Sequence, residues 1–275
     1  MKKFGKGQIM SIKLIAMDLD GTLLTSERLV SERTIKTLKA ARERGVHLTI
    51  ATGRMMNSAE HFGSLIGADV PLISCNGSLV QKPDEDEPLF CRRLPDEVAQ
   101  KLLTLCHERG WYCQWYVGRS IYAEKYLPEF FQAYRTIKNF KVIEVGERYL
   151  DYAHNVIQCV VRDLDGGIWK IAEEISAVFP NEVWLQQRTG TSTDITMPGV
   201  NKALGLQALM DHLGLNADEV MACGDSDNDV SMLELAKTAV VPANGLPMAK
   251  AKATFLAPSH DEDGIAVAIE KLVLA

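Results

Sequence analysis

The sequence predicts an α/β fold in which a parallel-sheet core carries an inserted α/β cap domain. Three observations lead there: short apolar runs alternate with helical periodicity early in the chain, the same rhythm resumes after about residue 200, and a long stretch of different character lies between. A chain of 275 residues, 47% hydrophobic and 24% charged, fills a sizeable core, which excludes disorder.

The first strand is expected at 12–17 (IKLIAM), an apolar run that stops at DLDGT as a buried parallel strand stops at a turn. Ser31 caps the helix that follows, Ile35, Leu38 and Ala41 recur at helical spacing, and Gly45 takes the left-handed position beyond its end. Residues 46–51 (VHLTIA) read as the second strand, ending at TGR, 55–66 as a helix stopped by Gly67, and PLISCNG as a third strand and turn. Right-handed crossovers make such strands parallel and bring their carboxyl ends, where ligands bind, to one edge of a Rossmann-like core.

Residues 82–88 (KPDEDEP), with two prolines and four acids, break the pattern and mark a boundary. The expected division is 1–83 core, 84–195 cap domain and 196–275 core again. Within the insert, helices are expected at 95–109 and 168–179, and strands at 111–117, near 156–162 and near 182–188, with 126–150 ambiguous. The core returns with a helix at 200–213, a strand at 219–223 (EVMAC) ending at GDSDND, a helix at 228–236, a strand at 238–241 and a closing helix at 263–273. An insert that leaves a sheet and returns to it is placed to cover the ligand edge.

Thirty basic against thirty-six acidic side chains leave a net charge of −6 and a pI near 5.6, so nucleic acid is not an expected partner. No apolar run reaches the roughly 18 residues that cross a bilayer, and no membrane partner is expected. MKKFGKGQIM lacks a continuous apolar segment and a small-residue cleavage site, so a secretory leader is not expected there, and Met10 is as good a start as Met1. Six scattered cysteines without a C-x-x-C pair read as reduced thiols of a cytoplasmic protein. The sequence selects no oligomeric state.

Asp18 and Asp20 lie two apart at a strand end, which points both carboxylates to one side, and Gly21 lets the chain turn sharply. DLDGT alone is also ordinary turn chemistry. A second cluster, Gly224, Asp225, Asp227, Asn228 and Asp229, follows another apolar strand. Carboxylates gathered at one sheet edge repel each other unless a cation joins them, and oxygen donors favour Mg²⁺ over zinc. The spacing of GDSDNDVSMLE does not fit a calcium loop of the EF-hand type. Thr52, Gly53 and Arg54 end the second strand where a hydroxyl and backbone N–H groups can grip phosphate, although a threonine there can equally be a helix cap. Lys202 opens a helix at the positive end of its dipole, which implies a compensating anion.

Taken in order, DLDGT, TGR, Lys202 and GDSDND resemble the motifs of the haloacid dehalogenase superfamily of phosphotransferases and phosphatases, over nearly the whole chain. The long insert is similar to the large α/β cap of its Cof-type sugar-phosphatase group, as are SCNG at 74–77 and the ending HDEDGIAVAIEKLV. The resemblance implies Mg²⁺-dependent hydrolysis of a small phosphorylated metabolite, most readily a sugar phosphate, through an aspartyl-phosphate. It implies Asp18 as nucleophile and metal ligand, Asp20 as acid, base and metal ligand through its backbone carbonyl, and Asp225 as metal ligand. Phosphate falls to the backbone of Leu19 and to Thr52, Gly53, Arg54, Lys202 and Asn228, with Asp229 orienting Asp225 or Lys202. Ala203, where the group commonly has glycine, and VVPANG at 240–245 depart from the pattern and leave that set intact.

A phosphomutase would share the nucleophile and metal, and the release of free phosphate distinguishes the two. A non-catalytic phosphate sensor has no use for both Asp18 and Asp20, and a receiver domain has no place for the insert or the Lys202 helix. In the insert, WYCQWY at 111–116 alternates Trp111, Cys113 and Trp115 with Tyr112, Gln114 and Tyr116. The first set is expected against cap helices; the second faces the cavity or completes the cap core. Cys75 and Cys223 end core strands and are expected either in the core or at the ligand edge.

Overall fold

In the computed structural model, residues 12–134, 137, 140–186 and 190–275 are described. The readings of the first ten residues and of the last positions of the strand near 182–188 lie outside them. Five parallel strands form the core sheet in the order Phe255–Ala257, Thr238–Pro242, Val220–Cys223, Leu14–Met17, His47–Ile50. Leu14–Met17 is buried at every position, because helices cover both faces. Leu14 and Ala16 pack with Leu206, Leu209 and Met232 on one side, Ile15 and Met17 with Leu38, Phe62 and Ile269 on the other.

The helices end where the sequence marks them. Ser31 accepts from the Thr34 N–H at the start of Glu32–Glu43, and Gly67, at φ +70°, closes Met56–Ile66. Asn201 caps Lys202–Leu213 by accepting from the Leu204 N–H at 2.9 Å. Among the described residues, Leu72–Ser74 pairs with the core sheet through a single parallel bridge between Ala51 and Ile73. Its ladder runs instead to Leu79–Gln81, antiparallel, and from there to Phe90–Cys91, with residues 82–88 as the intervening turn. The sequence reading lacked this hairpin because its strands have three and two residues.

The cap is a six-stranded sheet ordered Trp184–Gln186, Ser192–Thr196, Gln158–Arg162, Tyr112–Val117, Ser120–Ala123, Val142–Glu144. Its pairs are antiparallel except the last, which is parallel. Asp96–Arg109 and Ile168–Val178 cover one face, where Cys113, Trp115, Cys159 and Ile195 are buried. The opposite face turns to the core, and Tyr116 and Val160 belong to the same apolar cluster as Met17 and Ile50. Of the ambiguous stretch 126–150, the described residues form short 3-10 turns at Pro128–Tyr134 and Gly146–Tyr152 and a strand at Val142–Glu144, and 135, 136, 138 and 139 lie outside them.

Candidate active site

Three loops at the carboxyl ends of core strands meet under the cap. Leu14–Met17 delivers Asp18, whose N–H bonds to the Cys223 carbonyl at 2.9 Å, so neighbouring parallel strands fix where it leaves the sheet. Leu19 is buried, and its carbonyl accepts from the N–H groups of Leu23 and Leu24, making the turn that carries Asp20. Gly21 sits at φ +76°, and a Cβ there would lie 2.6 Å from Asp225 Oδ2, so only glycine admits the second acidic loop this close.

Lys202 is fully buried and donates to Asp18 Oδ1 at 2.5 Å and to Asp229 Oδ1 at 2.6 Å. The anion implied by a cation at that helix start is thus supplied by the protein itself. Asp229 spends its other oxygen on the N–H groups of Asp225 and Ser226, each at 3.0 Å, which fixes the loop that presents Asp225. Thr22 Oγ1 donates to Asp225 Oδ1 at 2.8 Å. Burial works against the charge on Lys202, but Asp18 and Asp229 outweigh it and hold the ammonium protonated above its ordinary range.

Asp18, Asp225 and Asp229 each offer an oxygen within 4.8 Å of the others. Burial and then the surrounding carboxylates raise Asp18 well above the usual carboxylate range, against the pull of Lys202. Burial, with Asp229 next, raises Asp225 to about 6. Both of the described hydrogen-bonding directions of Asp229 are occupied, which leaves Asp18 and Asp225 to take a cation. An all-oxygen donor set whose members repel one another fits a hard divalent ion.

Thr52 Oγ1 accepts from the Arg54 N–H at 3.1 Å, and Thr52, Gly53 and Arg54 line a cavity of about 180 Å³ with Asp18, Asp20 and Asn228. Arg54, expected on phosphate, here grips both oxygens of Asp20, Nε to Oδ2 at 2.7 Å and Nη2 to Oδ1. Its guanidinium also lies 5.6 Å from the Phe62 ring centroid and 5.7 Å from that of Tyr134 in the cap. The cavity roof is the cap sheet: Tyr116, Gln158, Val160, Arg162, Ser192 and Asp194.

The family model for haloacid dehalogenase-like hydrolases matches residues 15–269. The protein belongs to that family. This haloacid dehalogenase-like hydrolase is an enzyme, a phosphatase. It is 28% identical over 263 residues to the 5-amino-6-(5-phospho-D-ribitylamino)uracil phosphatase YitU of Bacillus subtilis, covering 92% of this chain and 94% of that one. It is 28% identical over 253 residues to an HMP-PP phosphatase of Escherichia fergusonii, covering 89% of each. A crystal structure of a haloacid dehalogenase-like hydrolase from Bacteroides thetaiotaomicron superposes with a TM-score of 0.86 at 27% identity, over 94% of this chain and 99% of that one. No helix among the described residues of the hydrolase is long and apolar enough to cross a membrane.

The sequence reading had no role for several residues that shape the hydrolase site. Asn76 accepts from Asn228 Nδ2 at 2.9 Å, and its own Nδ2 donates to Asp194 Oδ2 at 2.8 Å and Gln158 Oε1 at 3.3 Å. Gln158 donates in turn to the Gly53 carbonyl at 3.2 Å. A partial signal existed: QCVVR is polar only at its two ends, and the two-residue period of a strand puts Gln158 and Arg162 on one face with Val160. SCNG at 74–77 marked the neighbourhood of Asn76 but not its role, which comes from partners in three segments distant in sequence. Of WYCQWY, Cys113 and Trp115 pack on the cap helices and Tyr116 lines the cavity.

Proposed function

We propose that the protein is a Mg²⁺-dependent, cytoplasmic phosphatase of small phosphate monoesters, sugar phosphates foremost, that works through an aspartyl-phosphate on Asp18. One observation carries the reading. Asp18 has one carboxylate oxygen held by Lys202 while its other is free of described hydrogen bonds, at the floor of a small cavity that Thr52, Gly53 and Asn228 also line. The YitU and HMP-PP phosphatase names of the relatives support a small phosphorylated metabolite as substrate. Six free cysteines support a reducing compartment.

Asp18 and Asp225, with the backbone carbonyl of Asp20, are the residues that hold Mg²⁺ in this reading. The ion, when bound, screens the negative charge that Asp18 and the phosphoryl oxygens turn toward each other. Lys202 orients Asp18 and, through Asp229, keeps the Asp225 loop in place. Thr52 Oγ1, the Gly53 backbone and Asn228 Nδ2 receive the phosphoryl oxygens.

The free Asp18 oxygen attacks phosphorus, the bond from phosphorus to the ester oxygen breaks, and Asp20 gives its proton to the departing alkoxide. Water then attacks the acyl-phosphate and passes a proton to Asp20, the bond from phosphorus to Asp18 breaks, and inorganic phosphate leaves. The Arg54 fork must release Asp20, and Asp20 must take up a proton from water, before it can donate. Arg54 lies at the cavity wall, where an incoming phosphate competes for it.

The test is the release of inorganic phosphate from a panel of phosphorylated metabolites, with Mg²⁺ and after its removal by EDTA. The expected result is hydrolysis of sugar phosphates or similar small esters that stops on chelation and returns with Mg²⁺. Undiminished turnover in EDTA, or transfer of phosphate within the substrate without release, defeats the proposal.

A further inference from the structure

The roof of the cavity carries two opposite charges that the phosphoryl chemistry does not use. Strand register sets them in rows: Tyr112, Arg162 and Ser192 form one, Gln114, Val160 and Asp194 the next, Tyr116 and Gln158 the third. The third row is occupied, since Gln158 donates to the Gly53 carbonyl and Tyr116 Oη accepts from Gln114 Nε2 at 2.8 Å. In the middle row, Asp194 is buried and binds Asn76 through one oxygen, while its other oxygen has no hydrogen bond among the described residues.

In the first row, the Arg162 guanidinium makes no ion pair or hydrogen bond with the described residues, and its Nε is buried without a partner. The other arginine lining the cavity, Arg54, is satisfied by Asp20. Arg162 is therefore the cavity-lining cation in contact with no carboxylate of the described residues; Asp194, one row away, feels its charge without bonding to it. Arg162 as a whole is half-buried, and an Nε shielded from water with no acceptor is costly unless a ligand supplies one.

Its position says which part of a ligand that is. Arg162 stands four residues along the strand from Gln158, about 13 Å at about 3.3 Å per residue, and Gln158 is the residue that touches Gly53. The transferring phosphate sits at the Gly53 end in the reading above. Arg162 thus meets the far end of the leaving group, with Asp194 between.

We propose that Arg162 and Asp194 select the leaving group: Arg162 binds a carboxylate at its far end, and Asp194 accepts from a hydroxyl on the way. The preferred substrates are then phosphate monoesters of hydroxylated carboxylic acids, sugar acids among them. A planar guanidinium fork matches a carboxylate, and a neutral leaving group leaves that fork unpaired. Because a site built for a polar group rejects an analogue that lacks it, the preference is expected to be at least about tenfold in kcat/KM. This inference deepens the phosphatase reading and rests on it.

The experiment compares matched esters with wild-type enzyme and Mg²⁺: 6-phosphogluconate against glucose 6-phosphate, and 3-phosphoglycerate against glycerol 3-phosphate. The acid-to-neutral ratio of kcat/KM is expected to reach about ten or more in at least one pair, to fall at least about tenfold in Arg162→Met, and to be partly restored in Arg162→Lys. A wild-type ratio below about ten in both pairs overturns the inference without recourse to any variant, and so does a ratio that survives Arg162→Met. p-Nitrophenyl phosphate separates the two levels. Turnover of it without preference for acids defeats only the selection by Arg162 and Asp194, whereas no turnover of any ester defeats the phosphatase reading itself.

Discussion

Asn76 of the core donates from Nδ2 to Asp194 Oδ2 of the cap at 2.8 Å, with both residues buried. Asn76 holds this position at φ +55°, next to Cys75 at +50°, a left-handed pair of non-glycine residues that only a well-determined surround maintains. The same amide accepts from Asn228, so one side chain ties the phosphate end of the cavity to its roof.

Asn76→Ala is expected to leave Asp194 without a donor, Asn228 without its acceptor and the left-handed backbone without the residue type that tolerates it. The loss should be about 1–3 kcal/mol in urea unfolding, with KM raised more than kcat is lowered. A stability change within experimental error contradicts the linking role.

Asp194 makes stability depend on pH in a definite direction. Burial raises its pKa from 3.8 to about 6, against Asn76 and Arg162. A raised carboxyl pKa means that the folded state holds a proton the unfolded state has lost. Its contribution is therefore fully present below about pH 4 and is lost as pH rises through about 6, up to about 3 kcal/mol in all. Asp194→Asn keeps an acceptor for Asn76 but does not titrate. Thermal unfolding from pH 4 to 7 should show the variant gaining on wild type across that window, and a constant difference counts against a raised pKa.

Asp18→Asn should fold with an unchanged circular dichroism spectrum and lose phosphatase activity by at least about a thousandfold, because an amide is not a competent nucleophile. Turnover within tenfold of wild type would falsify the covalent mechanism.

Asp225→Ala and Lys202→Met should fail differently. Removing Asp225 takes away a cation ligand, so half-saturation by Mg²⁺ is expected to rise at least about tenfold while the fold persists. Removing Lys202 leaves Asp18 and Asp229 buried without their counter-charge, and about 3–5 kcal/mol of stability should go with it. Phosphate-release titrations and melting curves on both variants check the pair; an unshifted Mg²⁺ requirement in Asp225→Ala refutes its role.

Cys75 and Cys223 are expected to be inert in the native enzyme. Burial lifts both thiols well above their ordinary range, with carboxylates a smaller influence, so little thiolate exists at neutral pH. A thiol reagent should inactivate wild type and the Cys75→Ala, Cys223→Ala double variant at the same rate; faster loss in wild type shows access to one of the two.

The sequence by itself determined the core of this protein. Apolar runs such as LIAM and VMAC can end only at a sheet edge, and the motifs after them put Asp18, Thr52 and Asp225 on that edge, because strand polarity and crossover handedness leave one arrangement. Lys202 was legible as a cation needing an anion, since a helix start repels it. Only the tertiary structure decided which anions answer it, Asp18 and Asp229, and that Arg54 turns to Asp20. It alone decided the roof, where Ser192–Thr196, with Ile195 as its one apolar residue, was not expected and Asn76, Arg162 and Asp194 come together from three separate segments. Local pattern fixes which face a residue occupies; what stands opposite that face depends on contacts between parts of the chain far apart in sequence, to which no local pattern is sensitive.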